Sequence, residues 1–341
     1  MLSQKLLAII QDGFPLVERP YKALAEMLNV SEQDVFDEVE KMRASGVIRR
    51  IGGVYDSKKL GFISRLCAGK VPASSLDFSA EPHSQTPMEK FAAVVMSEPA
   101  ITHNYIRSHE YNVWFTVIVE NESAIQTVVD RVCSQTDLHD VHVLTATKKY
   151  KINTVMSLDE RRETKDERGE SAPALRHSED RRAEESSNFL RTLSEADKFR
   201  IHIVCDDIPH SLTPFKDWGV SCDELREDLA AKRMRRFGAI LRHQDAGFPC
   251  NAMVCFMLDE GTLANSESAG SLLAKKHYVS HCYERPSFEN FPYNLYAMMH
   301  AQTPEELNGY IKESVALLDN PEYVVLHSLK ELKKTSFRFF A

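Results

Sequence analysis

The chain has 341 residues, 43% of them apolar, and a formal net charge of −8. That length suggests two or three domains, each able to bury a core, and the acidic balance argues against a general affinity for nucleic acid. Seven cysteines without a CxxC pair fit a reducing compartment. No run of 18 apolar residues is present to span a bilayer, and Met1 leads straight into an amphipathic segment rather than a signal peptide. A cytoplasmic protein with no membrane partner is expected.

Residues 2–11 have helical spacing and end at the turn Gly13-Phe14-Pro15. A second helix runs from Tyr21 to Leu28, with Leu24, Ala25 and Leu28 at helical spacing. Ser31 caps a third, whose apolar face is Val35, Val39 and Met42 and which stops at Gly46. Val47 to Val54 reads as a short β wing, so three helices and a wing make a winged helix-turn-helix. Its third helix carries Glu32, Asp34, Asp37, Glu38 and Glu40 against Lys41 and Arg43, a net charge of −3 that repels a phosphate backbone. A buttressing domain is expected rather than a DNA reader.

The pattern then changes to β-α-β-β-α-β. Strands are predicted near 63–72, 100–108, 112–120 and 141–151, and helices near 87–98 and 123–135, the order of a ferredoxin-like split βαβ. From Asp159 to Glu185, 17 of 27 residues are charged, too polar to offset the entropy of ordering. A flexible linker over 157–188 is therefore predicted, spanning on the order of 30 Å.

The second half repeats the plan. Pro214-Phe215 matches Pro20-Tyr21 and Val220-Ser221 matches Val30-Ser31, but the copy is four residues shorter between those points, so its middle helix must be cut back. Strands are predicted near 251–258, 279–286, 294–302 and 322–333, and helices near 264–276 and 304–320. The expected fold is α+β, a tandem winged helix-turn-helix plus ferredoxin-like (βαββαβ) repeat. Its domains are 1–60 (winged helix), 61–156 (ferredoxin-like), 157–188 (linker), 189–246 (degenerate winged helix) and 247–341 (ferredoxin-like).

The most regular part of the duplication is polar. His103-Asn104-Tyr105-Ile106-Arg107 recurs as His281-Cys282-Tyr283-Glu284-Arg285, Tyr111-Asn112 as Tyr293-Asn294, and Arg49-Arg50-Ile51-Gly52 as Arg235-Arg236-Phe237-Gly238. Gly61-Phe62 likewise matches Gly247-Phe248. On a strand, His103, Tyr105 and Arg107 share one face, as do His281, Tyr283 and Arg285, with roughly 6.5–7 Å between neighbours. That spacing suits several contacts along one large anionic ligand and is loose for chelating a small metal ion. Arg offers paired donors to carboxylates, Tyr a ring with a donor, and His a proton or an iron ligand.

With these motifs, Phe14-Pro15-Leu16, Arg19-Pro20, Gly46 to Gly52, Lys59-Leu60-Gly61, Trp114-Phe115, Pro286 and Pro292 to Leu295 complete a pattern that resembles the sirohaem decarboxylases. Those proteins are built like the Lrp/AsnC regulators, many as two paired subunits, and this chain looks like both subunits fused. It departs from the pattern only in its shortened second helix-turn-helix. The resemblance implies a carbon–carbon lyase (a carboxy-lyase). It removes the carboxyl groups of two acetate side chains of sirohaem, gives 12,18-didecarboxysirohaem and serves haem biosynthesis with no cofactor beyond the iron of the substrate.

Read that way, His103 and His281 are the catalytic candidates, either as general acid or as axial contact to the sirohaem iron, and the protein has no metal of its own. Arg107, Arg285, Arg49, Arg50, Arg235 and Arg236 are candidate carboxylate clamps, with Arg49 and Arg235 alternatively closing the wing. Tyr105, Tyr283, Tyr111, Tyr293, Asn112 and Asn294 orient the substrate or brace the strands. His243, His277 and His300, unmatched in the other half, are expected at the surface or behind the site. The halves are expected to dock as an intramolecular pseudo-dimer, with further self-association open. The rival readings are an Lrp/AsnC-type ligand-responsive regulator and a non-catalytic haem-binding sensor.

Overall fold

The computed structural model describes residues 2–72, 86–152, 193–241, 249–259, 261, 268–334 and 337–340. The linker expected at 157–188, together with His243 and Gly247-Phe248, lies outside the described residues. Two compact units result, each assembled from both halves of the chain. No described helix is long and apolar enough to cross a membrane.

The first unit holds the helix-turn-helix elements. α1 (Leu2–Asp12), α2 (Pro20–Leu28) and α3 (Glu32–Ala44) lead into β1 (Ile48–Tyr55). Ser31 and Asp34 form a reciprocal capping box at the start of α3, and Val35, Val39 and Met42 are its buried stripe. The second half supplies a helix at Glu195–Val204, a five-residue helix at Pro214–Trp218, another at Cys222–Ala230, and a strand at Met234–Leu241. The middle helix is thus cut back, as the shorter spacing predicts.

The wing expected at Val47 to Val54 is present as β1, and its partner comes from the other half: the strand at Met234–Leu241 pairs antiparallel with β1 as a two-stranded ribbon centred on Gly52 opposite Gly238. Both glycines are required by close approach. A Cβ on Gly52 would lie 2.2 Å from the Asp206 carbonyl, and one on Gly238 would lie 2.5 Å from the Ile10 carbonyl. Each half's strand is thereby seated on the end of the other half's first helix.

The second unit is a nine-stranded antiparallel ladder. From the first half come β2 (Ile63–Lys70), α4 (Pro87–Ser97), β3 (Ile101–Arg107), β4 (Val113–Val119), α5 (Glu122–Gln135), β5 (His139–Leu144) and β6 (Lys148–Ile152). With α6 to α8 and β7 denoting the four second-half elements of the first unit, the rest are β8 (Cys250–Phe256), α9 (Ala269–Ala274), β9 (Val279–Glu284), β10 (Leu295–Ala301), α10 (Pro304–Leu317) and β11 (Tyr323–Lys334). The order across the ladder is β5-β2-β4-β3-β11-β8-β10-β9-β6.

The last strand of each half begins in its own sheet and finishes in the other. β11 pairs with β8 over Tyr323–His327 and with β3 over Ser328–Lys334. In the first half the expected strand 141–151 is broken into β5, on β2, and β6, on β9. The ladder's two end strands are consecutive in the chain, so it returns on itself. Apolar residues alternate accordingly. Odd-numbered Val113, Phe115 and Val117 of β4 pack under α4 and α5, and Leu295, Ala297 and Met299 of β10 pack under α9 and α10. The opposite faces meet in an inner layer that includes Trp114, Leu144, Met253, Phe291, Tyr296 and Leu326.

Candidate functional site

Both His-x-Tyr-x-Arg motifs face this inner layer. A register shift at Ile101/His103 in β3, and its counterpart at Met298/Met299 opposite β9, turn a hydroxyl residue inward beside each histidine. His103 Nδ1 lies 2.9 Å from Thr102 Oγ1, and His281 Nδ1 lies 2.9 Å from Ser280 Oγ. Each motif histidine thus has a hydroxyl beside its Nδ1. Tyr105 and Tyr283, like both histidines, are half-buried.

The arginines are buried. Arg107 donates to the Leu326 carbonyl at 3.1 Å and to Ser328 Oγ at 3.0 Å, and Arg285 donates to the Leu144 carbonyl at 2.5 Å. Leu326 and Leu144 sit where the last strand of the opposite half leaves its own sheet, so each guanidinium braces a crossing. Each also lies 5.0 Å from the ring centroid of the tyrosine two residues before it. Burial pulls the Arg107 pKa down to about 10 and lowers that of Arg285. Among the described residues neither guanidinium meets a carboxylate, and both Nε atoms lack a hydrogen-bond partner.

The repeated Tyr-Asn pair has a structural use. Asn112 accepts from the Val71 N–H at 2.9 Å and donates to the Val71 carbonyl at 2.7 Å. Asn294 does the same to Leu258, at 3.0 and 2.6 Å. Each amide ties down the end of its half's first ferredoxin-like strand. Tyr111 is fully buried and its hydroxyl donates to Asp140 at 2.9 Å, while the Tyr293 hydroxyl reaches Glu322 at 3.5 Å.

Arg49, Arg50, Arg235 and Arg236 belong to the first unit. Arg50 donates to the carbonyls of Gly53 (3.2 Å) and Asp206 (3.4 Å), and Arg236 to those of Gln11 and Ala239. Burial lowers both to about 10. Arg235 donates to the Tyr55 carbonyl at 3.4 Å, and Arg49 is half-buried on the same ribbon. Within the first unit these four line the two-stranded ribbon.

Sequence reasoning passed over Thr102 and Ser280, although a hydroxyl before each histidine is part of the repeat. It placed His300 at the surface or behind the site. His300 is buried on β10, with Nε2 2.8 Å from Ser280 Oγ, whereas His277 is exposed.

Known proteins resemble this chain along nearly its whole length. A family model described as "AsnC-like ligand binding domain" matches residues 59–151 and 245–333, and one described as "Siroheme decarboxylase NirDL-like HTH domain" matches 3–49. The chain is 31% identical over 346 residues to a siroheme decarboxylase of Hydrogenobacter thermophilus, covering 99% of this chain and 94% of that protein. It is 40% identical over 158 residues to the siroheme decarboxylase alpha subunit of Desulfovibrio desulfuricans, covering 46% of this chain and 84% of the subunit. The crystal structure of the siroheme decarboxylase NirDL in complex with an iron-uroporphyrin III analogue superposes with a TM-score of 0.63 at 27% identity. That match covers 100% of this chain and 95% of the other.

Proposed function

This chain belongs to the sirohaem decarboxylase family, and on that premise we propose that it decarboxylates sirohaem, as a carbon–carbon lyase acting on two acetate side chains to give 12,18-didecarboxysirohaem. The observation that carries the reading is the pair of buried guanidinium groups, Arg107 and Arg285, with no carboxylate partner among the described residues. A buried charge is costly unless paired, and sirohaem carries eight carboxylates. The two positive charges, one from each half, draw such a substrate to the inner layer, beside half-buried Tyr105 and Tyr283.

In each decarboxylation the bond between the side-chain methylene and its carboxylate breaks and carbon dioxide leaves. The electron pair stays on the methylene carbon, spread into the macrocycle, until a proton from an imidazole Nε2 makes it a methyl group. Bond breaking and protonation balance without an oxidant, a reductant or a further cofactor. An axial contact from one histidine to the sirohaem iron is compatible with the other acting as acid. Asn112 and Asn294 brace strands in this reading, and the four wing arginines hold the ribbon. Anaerobic incubation of the purified protein with sirohaem, followed by mass analysis of the tetrapyrrole, tests the reading. Loss of two carbon dioxide units is expected; a tetrapyrrole that is bound but unchanged in mass overturns it in favour of a carrier or sensor.

A further inference from the structure

The two motifs are near copies, but the groups behind them are not. In the second half the Ser280 hydroxyl stands 2.9 Å from His281 Nδ1 and 2.8 Å from His300 Nε2. A hydroxyl has one proton, so it donates to one ring and must accept from the other. An imidazole that hands over a proton from Nε2 keeps Nδ1 protonated throughout. His281 then donates to Ser280, and Ser280 donates to His300, which must present a bare Nε2. Among the described residues the one other partner of Ser280 is the Met298 carbonyl at 3.4 Å, a long contact that competes weakly. In the first half Thr102 plays the part of Ser280 at 2.9 Å from His103. The residue six places after Asn112 is Ile118, however, where the residue six places after Asn294 is His300. The first relay therefore ends at the hydroxyl.

We infer that His300, through Ser280, is a positioning residue that fixes the tautomer and aim of His281, and that the second-half motif delivers the proton while the first serves binding. This rests on the decarboxylase reading. The test uses the full chain with Ser280→Ala, Ser280→Thr, His300→Ile (copying the first half) and His300→Gln, each checked for folding by circular dichroism. Sirohaem turnover and the ring-nitrogen NMR signals of His281 are then measured. Ser280→Ala and His300→Ile should lower kcat about tenfold, the worth of roughly one neutral hydrogen bond, with little change in KM. Ser280→Thr and His300→Gln, which keep a hydroxyl and an acceptor, should restore most of it. In the wild type His281 should be protonated at Nδ1 when neutral, and His300→Ile should give a tautomer mixture. If His300→Ile is folded and keeps wild-type kcat and the wild-type tautomer, the inference is wrong. If that variant does not fold, Ser280→Ala decides alone by the same two readouts. Wild-type protein that fails to decarboxylate sirohaem would refute the functional reading, while the tautomer measurement would still decide the relay.

Discussion

Replacing Asn112 by Ala separates a structural amide from a substrate-binding one. The variant loses two hydrogen bonds to Val71, of 2.9 and 2.7 Å, at a residue only 5% exposed. Each such bond has a net worth of about 1 kcal/mol, and each backbone group left unpaired in a buried place costs about 1–3 kcal/mol. Val71 is itself 3% exposed, so water cannot readily replace the amide. The expected destabilisation is about 2–4 kcal/mol, or a fall in Tm of roughly 6–12 °C for a unit of this size. Asn294→Ala removes the matching pair to Leu258, but from a half-buried position where water can substitute in part, so its effect should be about half. Scanning calorimetry of both variants gives the two Tm values, and sirohaem KM is measured well below them. An unchanged Tm with a raised KM would refute the brace and return the amides to the substrate.

His281→Ala should leave sirohaem bound and lower turnover by about two to four orders of magnitude, more than His103→Ala, as read by absorbance and product mass. Arg107→Met and Arg285→Met should weaken sirohaem binding more than they slow its conversion, because a guanidinium contributes charge rather than a proton; titration and single-turnover rates separate the two effects. Asn104 is fully buried with neither side-chain polar atom partnered among the described residues, so Asn104→Leu should raise stability by about 1–3 kcal/mol, seen as a higher Tm. The halves, split between residues 152 and 193 and expressed separately, should recombine, because β6 and β11 each complete the other half's sheet; a stable, active isolated half would contradict the exchange.

Much of the fold is legible because helix starts are local. The Ser31–Asp34, Thr86–Glu89, Ser194–Asp197 and Ser221–Glu224 boxes stand in the sequence at fixed spacing and each opens a helix, the first two where the sequence reading placed one. Strand partners are not local. The run Val47 to Val54 reads as a wing because it follows the third helix, and nothing in it says that its partner is Met234–Leu241. The same limit hides the exchange of last strands. Residues 139–152 serve two ladders, and no local signal names either partner.

The site was less legible, for a related reason. Repeated His, Tyr, Arg and Asn look like ligand chemistry, because a duplicated apolar core accounts only for repeated apolar residues. A duplicated backbone also has duplicated polar needs. Each half has a first strand whose end must be tied, which Asn112 and Asn294 do, and a crossing strand whose carbonyl must be met, which Arg107 and Arg285 do. Repetition therefore reports fold and function together and cannot separate them. Departures from it are more telling. Where the backbone environment is the same twice, a residue that differs is not dictated by that environment alone. His300 against Ile118 is such a departure, and His300 meets a motif histidine through Ser280. In a chain built of two near-equivalent halves, the chemistry should be sought where the symmetry fails.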